Sequence, residues 1–149
     1  MKIKDYEFII KKLKLPKKNL LITGSYKRHK NEKERTIGDL DLLAVNKTID
    51  EVITLFKNNF NSVSVKKKGN NYVHMMINSI YSVDVWITTK ETLPFAQLQY
   101  DTGLGIVHLK RKARTHGLKL SQYGLFKSNK LIDKKFNSPE DIKNYINSL

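Results

Sequence analysis

The chain has 149 residues, 28 Lys and Arg against 14 Asp and Glu, and no cysteine. This length allows one domain, or one domain with a small lobe, and enough buried surface for a self-sufficient core. A disulfide framework, a thiolate zinc site and a cysteine nucleophile are excluded, and no apolar run approaches the ~20 residues of a membrane helix. The net charge of +14 points to a polyanionic partner, nucleic acid before membrane. A codon bias toward Lys, Asn and Ile is the competing source of that charge. Arginine runs against such a bias, and the four arginines fall in two pairs, Arg28 with Arg35 and Arg111 with Arg114.

In chain order, Ile3, Tyr6, Ile10 and Leu13 stand at helical spacing, and Pro16 closes that helix. Residues 19–23 form a short apolar strand that ends at Gly24-Ser25. Residues 26–37 read as a charged loop, and 38–46 as a strand with an apolar end. Thr48 and Glu51 make a capping box, so a helix runs to about Asn58. Residues 62–67, 72–78 and 80–88 read as three strands, with turns at Gly69-Asn70 and Asn78-Ser79. Residues 90–101 and 104–116 read as helices parted near Gly103, with Gly117 past the end of the second. Residues 124–126 and 130–132 form a hairpin around Ser128-Asn129. Ser138 and Pro139 supply the N-cap and first position of a last helix. The pattern is α+β, with mainly antiparallel strands.

Asp39 and Asp41 alternate on a predicted strand, so both carboxylates share one face. Two anions so close repel unless a cation lies between them; alternatively the pair is simply solvated at a strand start. No acid occurs between Glu51 and Asp84, and Asp84 sits inside the apolar run Val83-Asp-Val-Trp-Ile87. A buried charge there requires a partner. If the two strands are neighbours, the three acids converge into a two-metal site suited to phosphoryl or nucleotidyl transfer. If they are not, Ser82, Asp84 and Trp86 face solvent. Gly24 lets the backbone approach an anion. The following N–H groups and the Ser25 hydroxyl can cradle phosphate oxygens, and Arg28 can reach the same oxygens with a two-donor fork.

Between Asp101 and Asp133 there is no acid but seven Lys and Arg. On residues 104–116, Ile106, Leu109 and Ala113 can face a core. His108, Arg111 and Arg114 then form a stripe on the other side, with Lys110 near it. Such a stripe can track a DNA backbone or enter a minor groove, or it is a solvated face. His29, His74, His108 and His116 lack metal-ligand spacing, and His74 reads as a structural side chain. Tyr72, Tyr81 and Trp86 read as core or sheet-surface residues, and Tyr123 as packing in the last hairpin.

Gly24-Ser-Tyr-Lys-Arg28, Gly38-Asp-Leu-Asp-Leu-Leu43 and Val83-Asp-Val85 together resemble the nucleotidyltransferase superfamily. Tyr100-Asp-Thr-Gly103 and Gln122-Tyr-Gly-Leu-Phe126 narrow the resemblance to the DNA polymerase X family, and to its smallest viral members, which are cut down to a palm and a thumb. The resemblance spans roughly residues 15–149. It implies a palm over 1–95, with a mixed, mainly antiparallel sheet and helices, followed by a small α+β thumb over 96–149.

The resemblance further implies that Asp39, Asp41 and Asp84 hold two Mg²⁺ ions, with Mn²⁺ able to substitute, and that Asp84 helps activate a primer 3′-hydroxyl. Gly24, Ser25, Arg28 and Gly38 would bind the triphosphate. Tyr100, Thr102 and Gly103 would border the incoming sugar and base. The implied enzyme is an intracellular, monomeric DNA polymerase that adds dNMP from dNTP to a DNA 3′-hydroxyl, filling small gaps during repair. Departures are Asp101, where the family usually has Phe, and Trp86, where it usually has Arg. The segment between Ser25 and Asp39 is also longer than usual, so Arg35 can share the role of Arg28. No segment before residue 15 is long enough for the family's lyase domain. The alternatives are a nucleotidyltransferase that modifies a protein, tRNA or small molecule, and a weakly catalytic module that binds DNA ends.

Overall fold

In the computed structural model, which describes all 149 residues, the first apolar stripe becomes a 3-10 turn, Ile3–Tyr6, running into helix α1 (Glu7–Leu13). Ile3, Tyr6, Ile9 and Leu13 face the core. The chain divides into two compact units, Met1–Thr89 and Lys90–Leu149.

The first unit is built on a five-stranded sheet with order β1-β2-β5-β4-β3. Its strands are β1 (Leu20–Thr23), β2 (Leu40–Val45), β3 (Val63–Lys68), β4 (Tyr72–Ile77) and β5 (Tyr81–Thr88). Only β2 and β5 pair in parallel; the other neighbours are antiparallel. The parallel pair is central, which is why both strands read as nearly unbroken apolar runs. By contrast β4 alternates, with Val73, Met75 and Ile77 buried and the residues between them half-exposed.

A six-residue helix, α2 (Gly24–His29), follows β1. The sequence reads this stretch as loop, since it carries no apolar period; the buried Tyr26 anchors it. Helix α3 (Ile49–Asn59) starts at the capping box: the Glu51 N–H donates to Thr48 Oγ1 at 3.1 Å, and the Thr48 N–H donates to Glu51 Oε1 at 3.0 Å. Such a cap contributes about 1 kcal/mol. Ile49, Val52 and Phe56 then cover the sheet. Asn78 and Ser79 both take positive φ, 52° and 64°, the left-handed pair that a tight hairpin requires.

The second unit contains α4 (Leu93–Asp101), a 3-10 turn Gly103–Gly105, α5 (Ile106–Thr115), three strands β6 (Leu118–Ser121), β7 (Gly124–Lys127) and β8 (Lys130–Leu131), and α6 (Pro139–Asn147). Its core is Phe95, Leu98, Ile106, Ala113, Leu120, Leu125, Phe136, Ile142 and Ile146. The sequence boundary at 95/96 falls inside α4. Phe95 packs edge-on against Phe136, with centroids 5.6 Å apart, so the units part before that helix begins. Ser138 caps α6 by accepting from the Asp141 N–H at 3.2 Å. Burying Ile142 and Ile146 then contributes roughly 1.5–3 kcal/mol each. Strand β6 has no counterpart in the sequence reading, because four residues are too few to establish a period.

Candidate active site

Thr23 at the end of β1 is the register partner of Asp41 on β2. The next residue, Gly24, takes φ +68° and turns the chain into α2. A β-carbon at position 24 would lie 2.8 Å from Asp41 Cγ, so the absence of a side chain there makes room for the carboxylate. One turn along α2, Arg28 Nη2 donates to Ser25 Oγ at 3.1 Å, and the Arg28 charge favours ionised Asp41. Arg35 instead pairs with Glu32 at 3.2 Å, as does His29 at 2.6 Å.

The segment from 30 to 38 is strapped to the N-terminus. The Ile3 N–H donates to Arg35 O at 2.9 Å, and the Ile37 N–H to Met1 O at 2.8 Å. Lys2 and Lys4 both pair with Glu34. At the end of the strap, the buried Tyr6 hydroxyl donates to Gly38 O at 3.3 Å. Burial pushes the Tyr6 hydroxyl up to about 12, and the Asp39 charge pushes the same way.

The three acids come together. Asp41 and Asp84 are direct partners across the parallel β2/β5 pair, and Asp39 lies one residue before β2. Ser82, on the same face of β5 as Asp84, donates to Asp39 Oδ1. Across the antiparallel β4/β5 pair, His74 is the register partner of Asp84. The Tyr72 hydroxyl donates to Asp84 Oδ1 at 2.5 Å, and His74 Nδ1 lies 2.9 Å from the same oxygen. One ligand atom from each of Asp39, His74 and Asp84 lies within 4.8 Å of the others.

Asp41 is pushed up to about 7, first by burial and then by the Asp84 and Asp39 charges. Burial also raises Asp84, against the hydrogen bonds from Tyr72 and His74. Carboxylates forced toward their neutral forms by burial and by one another are what a hard divalent cation relieves, and oxygen donors are what it prefers. The residues present fit such an ion.

Tyr72, His74 and Ser82 are the site residues that sequence reading misses. Ser82 and Asp84 do not face bulk solvent as a pair, since Asp84 is buried and Ser82 is engaged by Asp39. A signal for the others existed. Period two puts Tyr72 and His74 on one face of β4, and the three-residue turn at Asn78, Ser79 and Ile80, which pairs Ile77 with Tyr81, sets His74 opposite Asp84.

In the second unit, the Tyr100 hydroxyl donates to Gln122 Oε1. Thr102 caps α4, its N–H donating to Leu98 O at 3.4 Å. Gly103 takes φ +64° and breaks the helix before α5. On α5, Ile106 and Ala113 are buried, His108, Arg111 and Arg114 are exposed, and Lys110 is half-buried. Lys112 points elsewhere and donates to Asn147 O at 3.2 Å. Tyr123, expected to pack, is 48% exposed because it stands in the turn between β6 and β7. No helix is long and apolar enough to cross a membrane.

No family model matches the chain. Its fold is like that of polymerase beta. It matches the polymerase beta of Leishmania infantum in a ternary P/T complex with TM-score 0.73 and 15% identity, over 99% of this chain and 73% of that one. The ternary gap complex of the same protein matches with TM-score 0.72 and 14% identity, over 99% and 67%. In sequence, the chain resembles the X family of DNA polymerases. It is similar to the repair DNA polymerase X of African swine fever virus, at 25% identity in one isolate and 24% in another. Both alignments cover 92% of this chain and 80% of the viral protein.

Proposed function

We propose that this chain is a small repair DNA polymerase that transfers dNMP from dNTP to a DNA 3′-hydroxyl and fills short gaps. The observation that carries this reading is the register of Asp41 with Asp84 across β2/β5, with Asp39 beside them and Gly24 against Asp41. The similarity to the viral repair polymerase supports DNA as the acceptor.

In this reading Asp39, Asp41 and Asp84 hold two Mg²⁺ ions, for which Mn²⁺ can substitute. Ions held by these carboxylates would supply Lewis-acid chemistry, lowering the pKa of an attacking hydroxyl and neutralising charge on the triphosphate. The Ser25 hydroxyl, the Arg28 guanidinium and the Gly38 backbone bind the triphosphate, with Arg28 countering the charge that develops on the leaving pyrophosphate. Gly24 has no side chain, so Asp41 can sit beneath the phosphate-binding turn. Asp84 would help activate the primer 3′-hydroxyl by taking up its proton. Tyr100, Thr102 and Gly103 border the sugar and base. His108, Lys110, Arg111 and Arg114 contact DNA. The protein acts as a monomer inside the cell.

Primer extension tests the reading. Each dNTP with Mg²⁺ is offered to single-stranded, primer-template and one-nucleotide-gap DNA, with wild type and Asp41→Ala. Incorporation that is fastest on the gap and lost in Asp41→Ala is expected. Nucleotide transfer to tRNA or protein, with none to any DNA, would overturn it.

A further inference from the structure

Strand β4 presents Tyr72 and His74 on one face, and both reach the same oxygen of Asp84 on β5. As a metal ligand Asp84 would be ionised and only accept, so the Tyr72 hydroxyl donates to it at 2.5 Å, and His74, 2.9 Å away, donates in the tautomer that carries its proton on Nδ1. The terminal torsion of an aspartate is broad and two-fold, so nothing in the side chain itself chooses which oxygen faces which way. Two donors converging on Oδ1 make that choice. They also come from a neighbouring strand whose register is set by a tight hairpin, so the pair is held as rigidly as the sheet.

Packing alone does not explain either polar group. The Tyr72 ring lies against Trp86, with centroids 5.1 Å apart, a contact that Phe would keep. His74 falls on the half-exposed side of a strand whose core is supplied by Val73, Met75 and Ile77. What the hydroxyl and the imidazole contribute is their bond to Asp84.

We infer that Tyr72 and His74 are positioning residues for Asp84: together they hold Oδ1, so that Oδ2 is presented to the metal and the primer hydroxyl. This rests on the proposed polymerase function. Neither side chain touches the reacting atoms. Outer partners of this kind are worth ~10–100-fold in activity when removed, and the loss falls on turnover, because a misaligned carboxylate affects the transition state more than nucleotide binding.

The test uses Tyr72→Phe, His74→Leu, His74→Asn and the double variant Tyr72→Phe/His74→Leu, with wild type and Asp41→Ala as references. Incorporation on one-nucleotide-gap DNA gives kcat and KM for dNTP. Thermal denaturation reports folding, and electron spin echo of bound Mn²⁺ reports whether nitrogen is a direct ligand. Tyr72→Phe and His74→Leu should each lower kcat about 3–10-fold, and the double variant about 10–100-fold, with KM within about twofold of wild type. His74→Asn, which keeps a donor near the Nδ1 position, should recover most of the His74→Leu loss. Bound Mn²⁺ should show no directly coordinated nitrogen in wild type.

A folded double variant with wild-type kcat would overturn the inference while leaving the polymerase reading intact. So would a rise in KM with kcat unchanged. Nitrogen coupling in wild type that vanishes in His74→Leu would make His74 a metal ligand instead. A wild-type protein that incorporates no nucleotide on any DNA would overturn the polymerase reading and this inference with it.

Discussion

Gly24 and Asp41 occupy one another's space: a β-carbon on Gly24 would lie 2.8 Å from Asp41 Cγ and 2.9 Å from Asp41 Cβ. The glycine also takes φ +68°, a conformation that costs an L side chain about 1–2 kcal/mol. Gly24→Ala therefore faces backbone strain and a displaced carboxylate together. It should lower gap-filling activity by at least ~100-fold and lower Tm by a few degrees, checked by primer extension and thermal denaturation. Activity within about twofold of wild type would place the phosphate-binding turn elsewhere.

Burial and the neighbouring charges make ionised Asp41 costly to the folded protein without metal. Asp41 is pushed up to about 7 from an ordinary carboxylate value of 3.8, so the folded state binds its proton more tightly than the unfolded state does. The associated stability is present below about pH 4 and lost as pH rises through about 7. Metal-free wild type should thus lose Tm between pH 5 and pH 8. At pH 8, Asp41→Asn should gain on the order of 1–2 kcal/mol, after discounting for partial solvent exposure, or roughly 2–8 °C. Adding Mg²⁺ should raise the wild-type Tm and leave Asp41→Asn nearly unmoved. Differential scanning calorimetry in chelator and in Mg²⁺ measures both. A drop in Tm for Asp41→Asn in chelator would mean that the carboxylate is stabilised by something other than an added cation.

Arg28 and Arg35 are separated by their partners. Arg28 bonds Ser25 and favours ionised Asp41, whereas Arg35 is paired with Glu32. Arg28→Ala should raise KM for dNTP and lower kcat, about 10–100-fold in kcat/KM, since a guanidinium on phosphate charge acts in both ground and transition states. Arg35→Ala should stay within about threefold. Steady-state kinetics on a one-nucleotide gap decides the matter, and a reversal of the two effects would move the triphosphate contact along the segment.

What was legible in the sequence is what chemistry makes local. Thr48 with Glu51, Ser138 before Pro139, Gly117 after α5 and the left-handed Ser128-Asn129 turn are each specified within a few residues. Asp84 was legible for another reason: one acid in an apolar strand, with no other acid back to Glu51, has to be accounted for. The strap that joins residues 1–4 to 33–37 was not legible. It consists of backbone bonds between segments about 30 residues apart, and neither segment has a strand period. The partners of Asp84 escaped because they depend on register. Tyr72 and His74 look like ordinary strand residues until the hairpin sets His74 opposite Asp84. Helix α2 escaped because Lys27, Arg28 and His29 give no apolar face beyond Tyr26.

The arginines of α5 remain to be weighed against the general excess of lysine. The helix buries Ile106 and Ala113 and exposes His108, Arg111 and Arg114 along the other side. An exposed stripe contributes little to stability, so Arg111→Ala/Arg114→Ala should keep the wild-type Tm within about 2 °C. Each phosphate neutralised by a side chain releases counterions, and log K then falls with log salt by ~0.9 per contact. The double variant should therefore bind gapped DNA more weakly and show a salt slope shallower by up to about two. Arg→Lys at both positions should restore the slope, because the charge returns. It should not restore full affinity if a planar two-donor fork or a minor-groove fit is used. A salt titration of gapped-DNA binding for the three proteins measures slope and affinity together. Equal affinities with parallel slopes would remove α5 from the DNA interface and leave the net charge of +14 to other surfaces.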